Sequence, residues 1–99
     1  LITIASFISP HAKERNEIRN KIGKDFIEVY IKCSLGECEN RDPKGLYKKA
    51  RNAEIKNFTG ISHEYEPPEN PEIVIGTDKL SKEESAEKIY SYLKKRELI

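Results

Sequence analysis

The chain has 99 residues, 35% of them charged and 36% hydrophobic, and a formal net charge of +1. This length suits one small domain with a modest core and marginal stability. The balanced charge excludes a global field that draws the chain to nucleic acid or to a membrane, and no apolar run is long enough to span a bilayer.

Taken in chain order, Leu1 to Ser6 reads as a buried parallel strand, apolar on both faces and wanting a neighbour on each side. With no methionine anywhere, that opening predicts that residues precede Leu1. Ser9 and Pro10 read as the N-cap and first position of a helix running to about Ile22, which Gly23 stops. Asp25 to Cys33 is the clearest strand, carrying Phe26, Ile27, Val29, Tyr30 and Ile31. Ser34 and Glu37 read as a capping box for a short helix, which Arg41-Asp42-Pro43-Lys44-Gly45 is expected to break. A cationic helix is expected from about Leu46 to Ile55, with Leu46, Ala50 and Ala53 on one stripe. Three prolines stiffen Glu66 to Pro71, and Glu72 to Gly76 reads as a short strand. Ser81 and Glu84 form another capping box, leading a helix to near Arg96. No internal repeat is present.

Strands alternating with helices predict an α/β fold, a parallel sheet flanked by helices. Ligands on such sheets sit at the carboxyl ends of the strands, which gathers Ser6 to Pro10, Cys33 to Pro43 and Gly76 to Leu80 around one crevice. Local charge is uneven. Arg41 to Lys56 holds six basic and two acidic side chains, whereas Asn57 to Asp78 holds five acidic residues and no Lys or Arg. A cationic block beside an acidic loop points to a small anion rather than a polymer. Cys33 and Cys38 match no zinc spacing and read as two packed thiols in a reducing compartment. The prolines limit convergence of the carboxylates from Glu64 to Glu72 on a metal; His63 reads as a surface loop residue.

The segment from Arg41 to Gly60 has two readings. Its cations suit charge developing on a transferring phosphoryl group, Phe58 suits a purine face, and Gly45 suits a hinge for a closing lid. The plainer reading is a solvated helix with Phe58 in the core.

Ser6-Phe7-Ile8-Ser9-Pro10, Arg41-Asp42-Pro43-Lys44-Gly45-Leu46-Tyr47-Lys48-Lys49-Ala50-Arg51 and Glu66-Pro67-Pro68-Glu69-Asn70-Pro71-Glu72 occur here in order. Together they resemble the pattern of adenylylsulfate kinase, from Ile4 to Thr77. The resemblance implies that residues 1–99 are the C-terminal portion of one P-loop kinase domain, with a lid at about 41–60. It implies ATP and Mg2+ as cofactor and metal, adenylyl sulfate as the acceptor phosphorylated on its 3′-hydroxyl, a cytoplasmic location and a homodimer. It matches Ile8, Ser9, Lys44, Asn57 and Phe58 to substrate contacts, and Arg41 and Leu80 to the ATP site. The family serine at Ser9 has been described as a phosphorylated active-site residue. A serine nucleophile needs a base in reach, and only His11 is near in the chain, so substrate contact is the preferred role. His11 stands where the family commonly has an aromatic.

No Gly-x-x-x-x-Gly-Lys-Ser/Thr loop occurs in the chain. These residues alone are therefore expected not to transfer phosphate, and the magnesium ligands are expected elsewhere. The competing readings are a non-catalytic nucleotide- or partner-binding module and, with little support, a nucleic-acid-binding helix.

Overall fold

Two short strands form where β-branched residues are densest. In the computed structural model, which describes residues 1–61 and 64–99, β1 (Val29–Lys32) and β2 (Ile73–Gly76) pair in parallel with Val29 opposite Ile73 and Lys32 opposite Gly76. Burial alternates along β2: Ile73 and Ile75 are buried and Val74 is exposed. That is the two-residue period of a strand with one covered face. The architecture is α/β, as the alternation of elements predicts.

Among the described residues four helices accompany this ladder, of which α4 packs on β2: α1 (Ala12–Ile22), α2 (Leu35–Arg41), α3 (Leu46–Arg51) and α4 (Lys82–Lys95). Gly23, at φ 81°, ends α1 and leads into a 3-10 turn over Gly23–Asp25. The capping box of α4 is complete, with Ser81 Oγ accepting from Glu84 N at 3.0 Å and Glu84 Oε1 accepting from Ser81 N at 3.0 Å. In α2 Ser34 Oγ accepts from Glu37 N at 3.2 Å, but the Glu37 carboxylate accepts from Arg41 Nε at 3.0 Å. Cys33 and Cys38 occupy the positions just before the α2 cap and one turn inside the helix, where apolar residues commonly pack together. Both are half-buried free thiols. Burial first, and the neighbouring Cys33 next, push the Cys38 thiol up, which keeps it protonated.

Three sequence expectations are corrected. Leu1 to Ser6 is not a strand: the segment is exposed, Ile4 at 85%. A strand apolar on both faces needs partners on each side, and none pairs with it among the described residues. The first helix begins at Ala12 with His11 as cap, not at Ser9. Ser9 instead adopts φ 42°, and the first amide of the helix, Ala12 N, donates to the Glu66 carboxylate at 2.9 Å. The cationic helix stops at Arg51, because Ala53 turns left-handed at φ 59°. Ala50 is buried as expected; Ala53 is exposed.

Candidate functional site

Parallel pairing brings the carboxyl ends of β1 and β2 together, and Thr77 N donates to Lys32 O at 2.9 Å just beyond them. Arg41, the last residue of α2, reaches across: its Nη2 donates to Thr77 O at 2.7 Å and its Nε to Glu37 Oε1 at 3.0 Å. This clasp fixes Arg41 beside the Gly76–Leu80 turn, where Leu80 N donates to Gly76 O at 3.0 Å. The two residues read from sequence as nucleotide contacts, Arg41 and Leu80, are thus joined through one short turn. With its edges engaged, the guanidinium presents its planar face, which suits stacking on a ring better than gripping phosphate.

The segment around α3 is organised by Asp42. Its two carboxylate oxygens accept from Tyr47 N at 3.0 Å and Lys48 N at 3.1 Å, capping α3 from outside the helix. Gly45, between them, sits at φ 66°, a left-handed conformation that a side chain would strain. Arg51 is held by Glu39, with Nη2 to Oε1 at 2.7 Å, which ties α3 back to α2. Lys44 and Asn57 lie exposed on either side of α3, Asn57 at φ 55°. The Phe58 ring meets the Tyr47 ring edge-on, centroids 4.9 Å apart, and is half-buried. Beyond it, Gly60 has φ 91° and a Cβ there would lie 3.1 Å from Leu35 Cδ1, so the chain packs closely there on the start of α2.

Ser9 and Ile8 belong to a different constellation. Ile8 is exposed and Ser9 half-buried. The Ser9 carbonyl accepts from Arg15 Nη1, and the Glu66 carbonyl accepts from Arg15 Nη2. Glu66 N donates to Pro10 O at 2.8 Å, and His11 Nδ1 lies 3.6 Å from Glu66 Oε2. The backbone bond from Ala12, foremost, and His11 hold the Glu66 carboxyl below its ordinary value. Of the three segments expected around one crevice, the structure joins Cys33–Pro43 to Gly76–Leu80; the Ser9 turn is held by Arg15 and Glu66. Sequence reading missed Arg15, Asp42 and Glu66 as organisers. The one available signal was that Arg15 shares a helix face with Ile18 and Ile22, at spacings of three and seven. His63 lies outside the described residues.

Among the described residues no group of three or more His, Cys, Asp or Glu could hold a metal ion, so none of them is assigned to Mg2+. Among them also, no helix is long and apolar enough to cross a membrane.

Comparison with known proteins gives a consistent answer. The adenylyl-sulfate kinase of Clostridium acetobutylicum is 54% identical over 99 residues, covering 100% of this chain and 50% of the relative. That of Oceanobacillus iheyensis is 56% identical over 100 residues, again covering 50% of the relative. The Mycobacterium tuberculosis APS kinase solved in complex with AMPPNP and APS superposes with a TM-score of 0.76 at 41% identity, over 89% of this chain and 52% of that one. The chain therefore spans about half the length of the curated relatives it matches. Residues 1–76 match the family described as adenylylsulphate kinase, and the chain belongs to that family.

Proposed function

We propose that the protein carrying this chain is an adenylyl-sulfate kinase, transferring a phosphoryl group from ATP to the 3′-hydroxyl of adenylyl sulfate. The observation that carries this reading is the 54% identity to such a kinase over all 99 residues. In this chemistry the protein acts mainly by positioning and by charge stabilisation. Magnesium, when bound, neutralises charge on the β- and γ-phosphates, and the reading assigns its ligands to residues outside this chain. Arg41 offers its plane to the ATP base beside Leu80. Lys44 and Asn57 on the lid, with Ile8 and Ser9, contact adenylyl sulfate, and Phe58 covers its adenine. Ser9 acts in this reading as a substrate contact and not as a phosphorylated nucleophile. The same reading has the protein in the cytoplasm as a homodimer.

The test is a coupled assay of the complete protein with ATP and adenylyl sulfate, reading formation of ADP and of the 3′-phosphorylated product. Turnover is expected, together with at least about a tenfold loss of kcat/KM in Lys44→Ala and in Phe58→Ala, as for lost transition-state contacts. The 99-residue polypeptide alone is expected to show none. An inactive complete protein that still binds nucleotide would overturn the kinase reading in favour of a binding module.

A further inference from the structure

We propose that Arg15 is a positioning residue that, with Glu66, sets the Ile8-Ser9 turn in the conformation that receives adenylyl sulfate. The inference rests on the function proposed above and assigns it a residue that touches neither substrate.

Arg15 is the one buried residue of α1, at 8% exposure. A guanidinium out of water is costly unless every donor finds a partner. Arg15 is surrounded accordingly. Its Nη1 and Nη2 donate to the carbonyls of Ser9 and Glu66, its Nε lies 3.4 Å from Glu28 Oε2, and its charge sits 5.4 Å from the centroid of the Tyr65 ring. The fork therefore spans two segments far apart in sequence, and Glu28 and Tyr65 fix the plane of that fork.

One of the two carbonyls belongs to a strained residue. Ser9 has φ 42°, which L side chains adopt reluctantly. It also precedes Pro10, and a residue before proline is biased to extended backbone. Strain of this kind persists only where the surroundings over-determine it, and it gathers at ligand clamps. Four contacts over-determine it here: Arg15 to Ser9 O, Arg15 to Glu66 O, Glu66 N to Pro10 O at 2.8 Å, and Ala12 N to the Glu66 carboxylate at 2.9 Å. Arg15 acts on the carbonyl side of the turn, which leaves the side chains of Ile8 and Ser9 available to substrate. A lysine here keeps the charge but offers a single ammonium, which cannot serve two carbonyls and a carboxylate in one plane.

The experiment compares Arg15→Lys and Glu66→Ala with the unaltered complete protein, measuring KM for adenylyl sulfate, KM for ATP, kcat and Tm. Arg15→Lys is expected to raise KM for adenylyl sulfate about tenfold or more while KM for ATP stays within about twofold, the pattern of a displaced substrate contact. Glu66→Ala, which keeps the backbone bonds, is expected to change the same constant in the same direction by less. A fall in Tm with both KM values unchanged overturns the assignment and leaves Arg15 a purely structural residue. Equal rises in both KM values overturn it also. Should Arg15→Lys not fold, Glu66→Ala decides by the same criterion. An unaltered protein inactive on adenylyl sulfate overturns the proposed function and this assignment together; an active one with unaffected variants overturns this assignment alone.

Discussion

Glu72 accepts from both Arg19 Nη atoms at 2.8 Å and from Glu28 N at 2.7 Å, while Arg19 also reaches Glu28 at 3.2 Å. The Arg19 guanidinium, first of all, holds the Glu72 carboxyl below its ordinary value. A carboxyl depressed in the folded state adds stability that is fully present above its unfolded value, about 4.3, and is lost as pH falls through the folded value. Thermal melts of the complete protein are therefore expected to lose stability below about pH 4.3. Glu72→Gln should flatten that acid limb and cost roughly 1–2 kcal/mol at neutral pH, since the carboxylate is partly exposed. A limb of unchanged steepness in the variant would remove Glu72 from the account. The resemblance implies a structural connector over Glu64 to Glu72, but the partners of its carboxylates were not legible. Glu72 pairs with residues 44 and 53 positions away, and no local pattern encodes such distance.

At the level of elements, legibility followed the range of the interactions. The α4 box was readable because Ser81 and Glu84 satisfy each other within one turn. The start of α1 was misread because its first amide is satisfied by Glu66, from the proline segment, and not by Ser9. Ser9-Pro10 has the composition of a helix start, yet tertiary bonds to its carbonyls hold it outside the helix. Gly45, read as a hinge, is left-handed at the start of α3, whereas the cap supplied by Asp42 was not legible. That cap makes a direct prediction. Asp42→Ala deprives Tyr47 N and Lys48 N of their acceptors and should weaken the six-residue α3 by about 1 kcal/mol. Amide hydrogen exchange at Tyr47 and Lys48 is expected to speed up several-fold while exchange in β2 is unchanged. Equal acceleration in both would mean that Asp42 supports the whole fold and not α3 alone.

For the whole molecule, surface is the telling quantity. The accessible area is 8087 Å², against about 5,800 Å² expected for a compact chain of this mass. The excess includes apolar side chains: Ile4, Phe7 and Ile8 are all at least 70% exposed. Contiguous apolar surface of this kind invites association. The isolated 99-residue polypeptide is expected to bind the dye ANS strongly at neutral pH, with a shallow, low-temperature unfolding transition. A sharp transition without dye binding would contradict that. Composition foreshadowed a small core, while the openness of the first eight residues was not foreseen, because a doubly apolar segment reads as buried wherever its neighbours lie.

The parallel pairing of β1 with β2 has one more effect. The stretch 33–72 is the direct connection between the two strands, so it serves as their tether. Ring-closure entropy rises only with the logarithm of length, about 0.6 kcal/mol per doubling, for a connection of roughly 40 residues. The tether can therefore lengthen or shorten by several residues with little effect on the four-rung ladder it closes. The length of that excursion is accordingly adjustable almost independently of the ladder's stability.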